Sequence, residues 1–221
     1  MKTIVFTALA TAFILIAGFF LGAALGAILN DRLPGHSTDL VNVLLSAIPA
    51  LGAVFAGGAA WGLVMSRITH AGETKRMAWA GALGYGPTVI AVAIVLTFLE
   101  NLIVEQGKGP QLPIHNVFTL LFAPAAAIIA GVGAFALGIG ARDGVLARNL
   151  SWQCALAGGI AFLVVNLTLD AFGFRVGVPG AEQRATMLLT AFLGNFSAAL
   201  VGGGMIGTML GRKSLSTNKR E

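Results

Sequence analysis

Few of the 221 residues carry side chains able to do chemistry: 14 Lys or Arg, 9 Asp or Glu, 3 His and a single Cys. None of the charged ones falls within six long runs, 3–30, 40–66, 77–99, 116–141, 149–169 and 185–211. Inside the runs the strongest hydrogen-bonding groups are amides and hydroxyls. Asn195 stands ten residues from the nearer boundary of the last run. An amide at that depth, without partners in hydrocarbon, is costly, so it must face other helices or a wet cavity. Asn166 and Thr168 in the fifth run, with Thr190 and Ser197 in the sixth, are placed to join it. Two readings are open: an interhelical hydrogen bond worth ~0.6 kcal/mol, or contact with a solute. Glu100 and Asp170 bound the third and fifth runs, and Asp31 follows the first. An acid at a helix C-terminus is disfavoured by roughly 0.3–1 kcal/mol, which hydration, pairing with Arg32 or Arg175, or attraction of a cation would offset. Asn195, Asn166, Thr190, Glu100 and Asp170 are therefore the candidate ligand-binding residues.

Catalysis and metal binding find less support. His36 and His115 fall in different connections from His70, and Asp31-x4-His36-x2-Asp39 is at most a weak divalent-ion pattern. Cys154 has no partner for an intrachain disulfide. The chain contains no zincin helix, nucleophile elbow or phosphate loop. No catalytic residue and no metal set is assigned, and the sequence names no cofactor.

The elements that must position these groups follow from composition. Charged residues make up 10% of the chain, against about 25% in soluble domains, and hydrophobic residues make up 57%. This excludes a soluble globular domain, a disordered chain and a disulfide scaffold. Crossing a hydrocarbon core of ~30 Å takes about 20 apolar residues as helix. The runs are 21 to 28 residues long, so each can cross once. Strands in a membrane would alternate in polarity every second residue, which these runs do not. The fold class is all-α: a polytopic membrane protein of six transmembrane helices, forming one transmembrane domain over 1–212 with a basic cytoplasmic tail, 213–221. The first run, 28 residues long, exceeds the ~7–15 of a signal h-region and reads as an uncleaved span.

Ten basic residues lie on one side of the alternating connections and four (Arg32, Lys108, Arg175, Arg184) on the other. By the positive-inside rule both termini are cytoplasmic, in a cell (inner) membrane. Trp61, Trp79 and Trp152 fall near cytoplasmic ends, where an indole sits among headgroups. The net charge of +5 is thus a topology signal and implies no nucleic-acid partner. The partner is the lipid bilayer, and other membrane subunits could dock on small-residue faces such as Gly22 with Gly26, Gly58 with Gly62, or Gly203 with Gly207.

Segments 46–67, 121–142 and 191–212 align without gaps. One column reads Pro49, Pro124 and Gly194, a second Gly58, Gly133 and Gly203, and the last Arg67, Arg142 and Arg212, 18 residues beyond the first. The pattern predicts three tandem two-helix units in parallel orientation, about 1–67, 75–142 and 148–212. Helix bends are expected near Pro49, Pro124 and Gly194. Outer connections agree loosely, Leu33-Pro34-Gly35-His36 with Leu112-Pro113-Ile114-His115. Mitochondrial carriers are also built from three two-helix units, but their charged signature after Pro on odd helices has no counterpart here. In size and span count the chain is similar to the membrane substrate-capture subunits of vitamin uptake systems.

The expectation for function is a small membrane transport protein or transport subunit for a weakly polar, cationic or apolar solute. The alternative is a non-catalytic accessory subunit packed against a larger membrane complex. Topology has a direct test: cysteines introduced in 34–38, 106–112 or 176–183 should react with an impermeant maleimide from outside. Labelling of 70–74 from outside would reverse the scheme.

Overall fold

The computed structural model describes residues 2–32, 40–106, 114–172 and 181–218; side chains toward one end of the bundle, among them Asp31, Glu100 and Thr190, lie outside that description. Six helices make up the described chain: α1 (Lys2–Arg32), α2 (Leu40–Thr69), α3 (Thr74–Gln106), α4 (Ile114–Gly140), α5 (Gly144–Ala171) and α6 (Ala181–Asn218). The chain is all-helical, with five stretches long and apolar enough to cross a bilayer and a shorter apolar stretch over Lys2–Gly18. As a helix of 31 residues, α1 is about 46 Å long. The expected runs are matched, and α6 continues past Arg212, so the first part of the basic tail is helical.

Large apolar side chains cover the outside. Phe6, Phe13, Leu83, Ile94, Val145, Leu156 and Ile160 are all exposed. Such a surface is stable against hydrocarbon and would aggregate in water. The described connections are tight. Arg142 adopts a left-handed φ of 56° as α4 ends, and Asp143 then caps α5, its carboxylate accepting from Leu146 N at 2.9 Å. Between α2 and α3 the chain turns through His70 and Gly72, both at positive φ. There Ser66 Oγ donates to Gly72 O at 3.2 Å.

Each helix packs on its neighbours in chain order, and α6 returns to α1, closing a ring of six. Between apolar helices in lipid, water gives no drive to associate, so contact depends on close approach of backbones. Glycines supply it. A Cβ on Gly62 would collide with Met77 O, and one on Gly81 with Gly58 O, so α2 and α3 meet almost backbone to backbone. On the other side of the ring, Gly203 and Gly207 receive the side chains of Thr11 and Thr7 from α1. Gly138 sits against Ala147 where α4 meets α5. The spaced glycines Gly58/Gly62 and Gly203/Gly207 are therefore consumed within the chain; Gly22 and Gly26 lie outside the described side chains.

The helices run unbroken through Pro49, Pro124 and Gly194, and through Pro87 in α3. At Gly194 the decisive feature is contact: an added Cβ would strike Asn166 Nδ2 and come within 2.7 Å of the Phe162 ring. That position is where α6 crosses α5.

At the end of the bundle that holds residues 70–73 and 141–143, fully buried side chains come from every helix: Thr7, Met65, Thr69, Met77, Leu137, Leu150 and Leu210. Met65, Met77, Leu137, Leu150 and Leu210 belong to one apolar core cluster and form a plug at this end. Leu137→Ala should cost about 2–5 kcal/mol, because the hole left in a tight core only partly collapses. Leu156→Ala, on the lipid-facing surface at 56% exposure, should cost far less. The two unfolding midpoints in detergent or nanodiscs give the comparison, and equal losses would contradict the plug.

Candidate functional site

Beyond the plug the ring encloses a cavity of about 360 Å³ with lining from all six helices, within the ~300–1,000 Å³ common for small-molecule sites. Its wall follows α3 from Tyr85 to Leu96 and α6 from Ile206 to Phe192, which at helical rise is about 16 Å and about 21 Å. Most of the wall is Ala, Gly, Val, Leu, Ile and Phe; among the described lining residues none is charged. Small residues on α4 and α6, Ala125, Ala126, Ala198, Ala199 and Gly202, leave the space.

The polar groups of the lining fall into two sets. At the floor, Trp61 Nε1 donates to Thr11 Oγ1 at 3.0 Å, and Thr11 Oγ1 donates to Thr7 O at 2.7 Å. Trp61 is 2% exposed, and its ring meets Tyr85 edge to face with centroids 6.5 Å apart. Tyr85 OH donates to Leu15 O at 3.3 Å, and Cys154 Sγ lies 3.8 Å from Gly202 O as a weak donor. All four residues are buried, and their donors are spent on the protein itself, as buried donors must be. Asn195 also lines the cavity and is exposed, one turn from Phe192, whose ring stacks on Phe196 with centroids 5.8 Å apart.

Of the sequence-predicted residues whose side chains are described, only Asn195 is brought to the cavity. Asn166 is buried in the α5–α6 seam beneath Gly194, its Nδ2 donating to Phe162 O at 2.9 Å within its own helix. Asn166 therefore shares no site with Asn195. Ser197 Oγ donates toward Gly194 O at 2.8 Å and Ala161 O at 3.3 Å, linking the same two helices. Thr168 is exposed and donates to Val164 O at 2.7 Å, the usual way a hydroxyl on a membrane helix is satisfied. Asp170 is half-buried near the end of α5, away from the lining. Thr190 is helical within α6 and Glu100 within α3, but their side chains lie outside the described residues, as do His36 and His115. Among the described residues no three His, Cys, Asp or Glu side chains gather as a metal site.

The indole expectation needs correction. Trp79 and Trp152 are exposed at 61% and 53%, as interface anchors should be, whereas Trp61 faces inward and forms the cavity floor. It stands eight residues inside the end of α2, about 12 Å deep, where an indole N–H needs a protein partner. Thr11 supplies that partner. Sequence reasoning missed Thr11, Trp61 and Tyr85 as a group; the available signal was that Tyr85 is the chain's one tyrosine and lies in mid-run. Comparison of the chain with protein-family models, curated proteins and solved structures returned no match.

Proposed function

We propose that this chain is a small membrane transport protein or transport subunit whose solute occupies the central cavity. The observation that carries the reading is an apolar chamber to which every helix of a closed six-helix ring contributes. A ring that served only to bury its own faces would fill its centre, since native cores pack with few voids larger than a water molecule. Here the centre is filled at one end by the plug and left open above it by alanines and glycines. The uncharged lining favours the apolar to weakly polar part of the expected solute range, because a bare charge in such a site is expensive.

The internal repeat supports the same reading. Three parallel two-helix units about one axis, 1–67, 75–142 and 148–212, would leave a central path by construction. Gly58 and Gly62 bind α2 to α3, and the aligned Gly203 and Gly207 bind α6 to α1. Each pair joins an even helix to the next odd one around the ring, and α4 meets α5 through Gly131 and Gly138 instead. With both termini cytoplasmic in the inner membrane, the plug would be the inner gate and the cavity would belong to the outer side. The accessory-subunit alternative rests on small-residue faces, and two of its three glycine pairs are used inside the chain.

Solute-dependent stability tests the proposal in reconstituted protein. A solute at a hundred times its Kd should stabilise the fold by about 2.7 kcal/mol, read as a rise in unfolding temperature. Ala199→Phe, which fills the chamber, and Asn195→Leu should fold and insert but lose that rise. No response to any neutral or weakly polar solute, together with copurification of a second membrane chain at fixed stoichiometry, would replace transport by the accessory role.

A further inference from the structure

The outer face of the bundle carries a second pattern at the plug end. Lys2 begins α1, Lys75 lies in the first turn of α3, and Arg148 lies in the first two turns of α5. Lys75 and Arg148 each fall 73 residues after the preceding one. Four residues further in along the same helices stand Phe6, Trp79 and Trp152. All six side chains are exposed. A turn deeper the exposed side chains become aliphatic, with Leu9, Leu83 and Leu156. Each odd helix therefore presents one outward column of cation, ring and aliphatic group, with steps of roughly 5–6 Å along its axis.

The even helices lack this column. Arg67, Arg142 and Arg212 are exposed at the same end, but four residues inward stand Leu63, Gly138 and Thr208, none of them aromatic or exposed. Charge at this end is one-sided as well. Among the described residues it holds seven Lys or Arg against two acids, Glu73 and Asp143, and the Asp143 carboxylate accepts from Leu146 N as the cap of α5.

We propose that the three columns are binding sites for anionic phospholipid of the leaflet at the plug end, one site on each odd helix. The cation takes the headgroup phosphate, the ring lies at the level of the glycerol esters, and an acyl chain follows the aliphatic side chains down the helix. Lys and Arg suit the first position because their stems lie along apolar surface while the charged head reaches the headgroups. An aromatic ring is at home one turn deeper, at the membrane interface. The excess of positive charge selects a lipid of net negative charge over a choline lipid, whose own ammonium it repels. An indole N–H can also donate to a phosphate or ester oxygen, which a phenyl ring cannot. The α3 and α5 sites are therefore the tighter two, and the α1 site with Phe6 is the weakest. The proposal concerns the lipid-facing surface and holds whatever the cavity contains.

Native mass spectrometry of the full chain, released from neutral detergent with dioleoylphosphatidylglycerol titrated in, tests it. Retained lipid should reach a plateau at three, the first two bound more tightly than the third. Lys75→Gln and Arg148→Gln should each weaken one of the tight sites by about fivefold, the effect of one basic residue near an anionic surface. Phe6→Trp should tighten the third. Arg67→Gln, which removes a cation without a ring, should leave the plateau and the affinities unchanged. These positions are exposed, so each variant should keep the parent's cooperative unfolding in the same detergent. A ladder that runs past three without a plateau, or equal losses from Arg67→Gln and Lys75→Gln, overturns the columns as sites. Equal retention of dioleoylphosphatidylcholine overturns the selection by charge. Displacement of the lipid by inorganic phosphate would mean a free-anion site and overturns the lipid as occupant.

Discussion

Close backbone approach at glycine governs this structure. Lipid rewards no burial of one apolar helix against another, so the ring is held by van der Waals contact and by side-chain hydrogen bonds between helices, such as Trp61 to Thr11, Tyr85 to Leu15 O and Ser197 to Ala161 O. Where Gly58, Gly62 and Gly81 face each other, or where Thr7 and Thr11 nest on Gly207 and Gly203, no side chain larger than hydrogen fits. These seams fix the half of the bundle that holds residues 70–73 and 141–143. Fully buried side chains from every helix, Met65, Met77, Leu137, Leu150 and Leu210 among them, then fill this end. Further along, alanines and glycines in place of larger residues leave a chamber. Plug and cavity are thus two consequences of one packing arrangement.

The Trp61–Thr11–Thr7 chain links that framework to the chamber. It joins α1 to α2 by a buried side-chain hydrogen bond, while the same two threonines pack into the α6 glycine groove. Three helices therefore share one polar connection directly under the cavity. Any motion that separates α1 from α6 at this level must disturb the indole, its hydroxyl partner and the glycine contacts together. In the proposed transport cycle this would couple the floor of the proposed solute site to the plug beneath it.

Much of the architecture was legible in the chain because charge is excluded from hydrocarbon: the gap from Leu40 to Ser66 became α2, and the gap from 149 to 169 became most of α5. Helix ends were less accessible, since they are set by capping. Asp143 starts α5 five residues before the uncharged run begins. Rotation was the information missing. In a helix apolar on every side, periodicity does not separate a lipid-facing from a cavity-facing position, so Trp61 and Trp152 looked alike from sequence and face opposite ways. Asn195 was found because an amide at that depth stands out against its neighbours. Asn166 stood out equally, yet a bond to its own helix satisfies it within a seam. Gly194 aligned with two prolines and suggested a bend; the tight crossing over Phe162 and Asn166 depends on tertiary contact that no single-chain pattern encodes.

The central claim is that α6 closes the ring against α1 of the same molecule, since without that closure there is neither plug nor chamber. A Cβ at Gly204 would lie 3.8 Å from Ala8 Cβ, matching the ~3.8 Å mean Cβ separation of a disulfide. With Cys154 replaced by Ala, the double variant Ala8→Cys/Gly204→Cys should therefore oxidise rapidly with copper phenanthroline in native membranes. The account predicts an intramolecular cross-link, seen as a monomer of altered mobility that reverts on reduction and is absent from either single variant. Failure to cross-link in folded protein, or formation of linked dimers in its place, would contradict it.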